Sequence, residues 1–197
     1  MKKGITHLLL PLISLLILPL ASSSCGPSVD TRNKMVVSVR DQKMLLIRDG
    51  RPVRSYKIST SKFGVGDIPN SNRTPLGRMK VAKKIGDGAP SGAVFKSRRL
   101  TGEVLKPNAP GRDPIVSRIL WLTGTEGANR NAFKRFIYIH GTPEMNRLGT
   151  AASYGCIRMG CKDVVDLYNR VGAGADVYVI RGSLRTQDQP KLETAAR

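Results

Sequence analysis

Residues 34–60 read KMVVSVRDQKMLLIRDGRPVRSYKIST, three short apolar and β-branched runs broken at Asp41-Gln42 and again at Asp49-Gly50. Asp-Gly between hydrophobic runs is a strong hairpin signal, because both central residues of a type I′ turn need positive φ. The stretch therefore predicts three consecutive strands. Downstream, 60–77 (TSKFGVGDIPNSNRTPLG) carries Gly, Pro and Asn at a density that forbids regular structure. The run GRMKVAKKIG at 77–86 resumes a strand, and 87–113 is again rich in Gly and Pro, a long excursion suited to a lid. Two further strands are expected in PIVSRILWL (114–122) and KRFIYIHG (134–141), the second ending at His140. One helix stands out in CKDVVDLYNRVGAG (161–174): Val164, Val165, Leu167, Tyr168 and Val171 fall on one side at helical spacing, with Gly172 or Gly174 available to end it. The run ADVYVIRG (175–182) closes the set as a strand. Many short strands with one helix near the C-terminus predict a mainly β sandwich or barrel.

The flanks read differently. Lys2 and Lys3 precede HLLLPLISLLILPLA (7–21), an apolar run of signal-peptide length interrupted by Pro11 and Pro19. A cleaved export signal over 1–24 is expected, with an uncleaved anchor as the alternative. LASSSCG (20–26) resembles a bacterial lipoprotein cleavage site, which makes Cys25 a candidate for lipidation; ordinary cleavage without lipid is the other reading. Residues 25–33 are polar and read as a tether, and 183–197 as a flexible tail, leaving 34–182 as the folded domain.

The formal net charge of +19 suggests a polyanionic partner, with a solvated basic face that aids solubility as the plain alternative, and losing residues 1–24 removes only two of the lysines. The cations are scattered through strands and turns, and aromatic residues make up only 5% of the chain. That pattern argues against nucleic acid. For an exported chain, an anionic envelope polymer or membrane surface is the better match.

Only two histidines exist, His7 in the signal segment and His140. The mature chain then has His140 alone as an imidazole base, and one histidine among scattered carboxylates makes no recognisable metal site. SYGCIRMG (153–160) has what a cysteine nucleophile needs. Gly155 lets a substrate approach the backbone closely, and the N–H groups around Tyr154, Gly155 and Cys156 can converge on an oxyanion. A helix expected at 162–171 places its positive end near Cys156, a device that lowers a thiol pKa. A buried, inert cysteine is the plain alternative.

At these residues the chain resembles the L,D-transpeptidase catalytic domain family, also called YkuD-like. IHGT followed by ASYGCIRM is similar to that family's signature, and YKISTS…RTPLGRMKVAKK and CKDVVDLYNRVGAGADVYVI resemble its early and terminal elements in order. The resemblance implies Cys156 as nucleophile and His140 as general base, oriented by the backbone carbonyl of Gly141. Ser153 and Gly155 match the signature, and Arg158 stands at the position associated with substrate carboxylate recognition, where a guanidinium fork suits the chemistry. Tyr154 departs from it, standing where a second histidine is usual. Cys161 has no counterpart there and reads as a structural or incidental thiol at the helix N-cap, with a reversible Cys156–Cys161 disulfide as the minor alternative.

By that resemblance the chain acts without a cofactor on peptidoglycan stem peptides. The thiolate attacks the carbonyl after the third residue and expels D-alanine. An amine of a second stem or of a wall-attached protein then resolves the thioester. Water as acceptor makes it an L,D-carboxypeptidase, and loss of turnover leaves a peptidoglycan-binding domain. The implied place is the periplasm or cell envelope, with the membrane reached only through the signal or a lipid. Lipidation at Cys25 predicts a mature chain, recovered from membranes, heavier than the peptide by a diacylglyceryl group. An unmodified soluble chain with a free Cys25 thiol, read by intact mass, rejects it.

Overall fold

The computed structural model describes residues 29–184; the signal segment with Cys25 and the tail from 185 onward lie outside the described residues. Strands β1 (Asn33–Ser38), β2 (Lys43–Arg48) and β3 (Arg51–Ser59) form the expected antiparallel meander. Asp49 and Gly50 turn the β2–β3 hairpin with φ of +49° and +77°, the pair of left-handed conformations that the Asp-Gly signal implied. At the β1–β2 turn the buried Gln42 amide donates to Val39 O and Thr60 Oγ1 and accepts from Thr60 N, all at 2.7 Å. One side chain thus ties that turn to the end of β3.

Then follow β4 (Gly77–Ile85), the hairpin β5 (Ala93–Lys96) and β6 (Arg99–Val104), β7 (Ile115–Gly124), β8 (Tyr138–Thr142), β9 (Ile157–Gly160), helix α1 (Cys161–Arg170) and β10 (Asp176–Ile180). The order β4-β10-β1-β2-β3-β9-β8-β7 closes through β4–β7 pairing into an eight-stranded barrel. It is mixed: β1 with β10 and β8 with β9 run parallel, the other pairs antiparallel. The fold is therefore mainly β with one α-helix near the C-terminus, as the pattern of short strands foretold.

Four boundaries differ from the sequence reading. The 87–113 excursion is not bare loop but holds the β5–β6 hairpin, which hangs outside the ring on the same edge of β7 as β4. The two strands share that edge because β7 breaks at Ser117, whose φ is +67° and whose hydroxyl accepts from Gly92 N at 2.9 Å. Strand β8 begins at Tyr138, since Phe136 is left-handed at φ +57° and Phe133 stacks on Trp121 with ring centroids 4.2 Å apart. The proposed tether is partly built into the domain. Asn33 opens β1, and the Asp30 carboxylate accepts from Gly172 N at 2.6 Å and Asn33 Nδ2 at 2.8 Å, joining the chain's entry to the end of α1. At the other end the proposed tail starts pinned, with Ser183 Oγ and Leu184 N on Asp41 Oδ2 at 2.8 and 2.7 Å.

Alternation along the strands sorts side chains between two sides of the ring wall. Ile139 of β8 and Ile157 and Met159 of β9 join the main core with Met35, Leu46 and Met79. The intervening positions, Tyr138, His140, Cys156 and Arg158, take the opposite face. There a second apolar cluster of Phe95, Ile119, Trp121 and Tyr138 is packed by Phe133 and Cys156. Helix α1 sets Val164, Leu167 and Tyr168 into the main core. Because Leu167 is fully buried there, Leu167→Ala is expected to cost about 2–5 kcal/mol in urea denaturation. The exposed Lys162→Ala on the same helix should stay within about 0.5 kcal/mol.

Candidate active site

The parallel register of β8 and β9 pairs His140 with Arg158 and Ile139 with Ile157, so Cys156 enters β9 beside Tyr138. His140 is buried, and its Nδ1 lies 2.8 Å from Gly141 O. A carbonyl only accepts, so Nδ1 carries the proton and Nε2 keeps its lone pair. Burial, the largest influence, lowers the imidazole pKa against the opposing pull of that hydrogen bond, and the ring is neutral near pH 7. Gly141 has its own reason to lack a side chain. A Cβ there would stand 2.5 Å from Val116 O, its partner on β7, and 3.0 Å from Val164 Cγ1.

The Cys156 thiol donates to Phe136 O at 3.4 Å and receives Tyr138 N–H at 3.4 Å. Thiol and imidazole thus share one face of the β8–β9 pair, while the thiol's hydrogen bonds among the described residues run to Phe136 and Tyr138 rather than to His140. Burial pushes its pKa up to about 11. This overturns the expectation of a helix-acidified thiol. Helix α1 starts only after β9, and the sulfur packs against the second apolar cluster. Cys161 is the first helical residue and Gly160 the N-cap, a one-residue correction. Its buried thiol donates to Thr142 O at 3.3 Å, and both cysteines are free.

The 153–156 turn is held from three sides. Gly155 has φ +117°, a conformation that side chains rarely adopt. Ser153 Oγ donates to Cys156 O at 2.5 Å and accepts Gly155 N–H at 3.3 Å. Thr74 Oγ1 donates to Gly155 O at 3.0 Å while accepting Ser61 N–H at 3.0 Å. Thr74, from the Gly- and Pro-rich stretch 60–77, is fully buried and braces the cysteine loop. Tyr154 is 62% exposed, and its phenol accepts from Lys62 Nζ at 3.0 Å with that ammonium 4.4 Å over the ring. The Lys62 hydrogen bond lowers the phenol's pKa.

Arg158 is buried, and its Nη1 meets both Asp113 and Glu144, the latter at 2.9 Å. Asp113 also accepts from Thr142 Oγ1. These carboxylates come from the excursion and from the turn after β8, and no spacing rule pairs them with Arg158. Beside the thiol lies a groove of about 310 Å³, walled by Asn70, Asn72, Lys134, Phe136 and Tyr154.

The family model of the YkuD L,D-transpeptidase catalytic domain matches residues 32–179. The chain belongs to that family. Its members are cell-wall enzymes that act on peptidoglycan and are typically cysteine-dependent. No match was found among curated proteins. Solved structures similar to the chain include an L,D-transpeptidase from Mycobacterium smegmatis, 16% identical with a TM-score of 0.48 over 75% of this chain and 58% of that one. Another is L,D-transpeptidase 3 from Mycobacterium tuberculosis in complex with a faropenem-derived adduct, at 19%, 0.49, 75% and 60%. A third is an L,D-transpeptidase from Xylanimonas cellulosilytica, at 18%, 0.47, 78% and 62%. The chain spans less than two thirds of the length of each.

The raised thiol pKa sets an expected pH profile. Alkylation of Cys156 by iodoacetamide, followed by peptide mass in a Cys161→Ser background, should keep accelerating beyond pH 9 toward a midpoint of about 11. A plateau near pH 7 would mean a preformed thiolate.

Proposed function

We propose that the chain is a peptidoglycan L,D-transpeptidase in which Cys156 attacks the carbonyl after the third stem residue and D-alanine leaves. The observation that carries this is the placement of the Cys156 thiol and the His140 imidazole on one face of the β8–β9 pair, with the Gly141 carbonyl holding the tautomer that leaves Nε2 basic. A rotation of the cysteine χ1 by about a third of a turn, from one staggered well to another and away from Phe136 O, is the motion this asks for.

A thiol with so high a pKa is not a resting thiolate. The proton moves to Nε2 as the C–S bond forms, so His140 acts as general base rather than as half of an ion pair. With Gly155 N–H engaged by Ser153, the N–H groups of Tyr154 and Cys156 are the donors for the developing oxyanion. The imidazolium then protonates the departing D-alanine nitrogen, leaving a thioester. The groove beside the thiol, lined with amide side chains and Lys134, suits an anionic stem peptide. Arg158 serves the carboxylate end of substrate recognition through the charged network it anchors. Water in place of an amine gives the L,D-carboxypeptidase outcome, and a peptidoglycan-binding domain without turnover is the remaining alternative.

We place the enzyme outside the cytoplasm, delivered by the segment 1–24 and held, where Cys25 is lipidated, on a short polar tether. Incubation with a carbapenem tests the core of the reading by adduct mass against time. Wild type should acylate, and Cys156→Ala should give no adduct. His140→Ala should be slower by about 10²–10⁴-fold, and Cys161→Ser close to wild type. Purified tetrapeptide stems should release D-alanine with the same ranking. Acylation of Cys156→Ala would move the nucleophile elsewhere. A wild type inert in both assays under reducing conditions would make the domain a binding module.

A further inference from the structure

Alternation sends Met35, Val37, Leu46, Met79, Val177 and Val179 into the barrel, so the residues between them turn outward across β4, β10, β1, β2 and β3. Strand pairing sets these outward residues in rows. Lys80 lies level with Asp176, Asp176 with Lys34, and Lys34 with Ile47. In the next row Arg78 meets Tyr178, then Val36 and Leu45. Beyond them the exposed Lys43 stands directly opposite the exposed Lys57. Asp176 is the carboxylate of these rows, and Arg78 and Lys80 both hold it, at 3.0 and 3.1 Å. Lys34 rests 5.6 Å over the Tyr178 ring, and neither it nor Lys43 nor Lys57 has a carboxylate partner among the described residues. Like charges directly opposite on paired strands are destabilising. A face that keeps Lys43 against Lys57, and adds Lys34, Lys80 and Arg78, is built for a polyanion rather than for the stability of the sheet.

Strand β1 is the middle strand of this face. The chain reaches it through Asp30, whose N–H donates to Ala173 O at 2.8 Å and whose carboxylate accepts from Gly172 N at 2.6 Å. Cys25 stands four residues before Val29, and that length of chain spans at most about 14 Å. An anchor at Cys25 therefore holds this side of the barrel close to a bilayer, a tie that a free envelope polymer lacks. In the ring of eight strands β8 stands four places from β1, and β9 four places from β10. The pair that carries His140 and leads out of Cys156 is thus on the far side of the barrel. We infer that the outer face of β4, β10, β1, β2 and β3 docks on the anionic headgroups of a phospholipid bilayer and turns the thiol groove away from it. An anchor alone leaves the domain free to rotate on its tether; the cations select the side that meets the headgroups. Nothing in this docking depends on acyl transfer, so it stands or falls separately.

For the test, the full chain is inserted from outside into preformed vesicles of phosphatidylcholine alone, or of phosphatidylcholine and phosphatidylglycerol in equal parts. Lysine acetylation is then quantified by peptide mass. The anchoring segment is present on both, so only the headgroup charge differs. A cation near an anionic surface is worth about fivefold in binding, and Lys34, Lys43 and Lys57 should be acetylated at least about fivefold more slowly on the anionic vesicles. High salt should abolish that protection. Lys134, in the groove beside the thiol, should react alike on both. A chain with Lys34→Gln, Lys43→Gln and Lys57→Gln together, its fold checked by thermal melting, should lose the protection of Lys80. Salt dependence of the unaltered chain decides the matter where that variant does not fold. Equal rates on the two kinds of vesicle, or protection of Lys134 instead, overturns the docking. Protection of the same lysines over neutral vesicles by soluble poly(glycerol phosphate), matching that on the anionic ones, makes a polymer the occupant and overturns it too.

Discussion

Everything at the site depends on the parallel pairing of β8 with β9. A parallel ladder sets partners level and points them to the same side, so Ile139 with Ile157 fills the barrel while His140 with Arg158 faces out. A slip of one residue would send the imidazole into the core and an isoleucine to the site. The apolar half of the alternation therefore fixes the polar half, and the cost of misplacing large buried side chains holds the face that carries Cys156 and His140 in register. Gly141 contributes at the same point, since its missing Cβ lets Val116 O approach and leaves its own carbonyl free for the imidazole.

Around that pair the molecule divides its polar groups by task. Thr74, Ser61 and Ser153 are buried; Thr74 joins Ser61 N to Gly155 O, Ser153 holds Cys156 O, and together they set the path of the 153–156 backbone. Asp113, Glu144 and Arg158 tie the excursion, the turn after β8 and β9 into one charged cluster. The first set fixes where a carbonyl oxygen would be received. The second sets the charge that an arriving substrate would meet. The Thr74–Gly155 and Arg158–Asp113 contacts span long stretches of sequence, so they depend on the closed barrel.

The strands with clear turn chemistry were legible from residues alone. Asp49-Gly50 announced a hairpin, and the periodicity of Val164, Leu167 and Tyr168 announced the helix. The β5–β6 hairpin was not, because its turn uses Ser97 and Arg98 at φ +49° and +66°, with no glycine to mark it. Its second strand is exposed at every position and so shows no alternation. At the candidate site, Cys156, His140 and Gly141 could be named as candidates because a short motif surrounds them. Thr74, Asp113 and Glu144 could not, since each acts through a contact made only by the fold. The thiol's acidity was misjudged for a related reason: the apolar packing that raises its pKa is made only by the fold.

The apolar seat of the Cys156 sulfur has a consequence for the protein's lifetime. Peroxide, low-molecular-weight disulfides and other oxidants attack the thiolate and hardly touch the protonated thiol. A sulfur kept protonated beside Trp121, Phe133 and Tyr138 is shielded from them while no substrate is bound. On the proposed mechanism the proton leaves only as the C–S bond forms, so no free thiolate accumulates. On that mechanism, reactivity is thereby confined to turnover, and the nucleophile can wait long intervals between substrates outside the reducing cytoplasm.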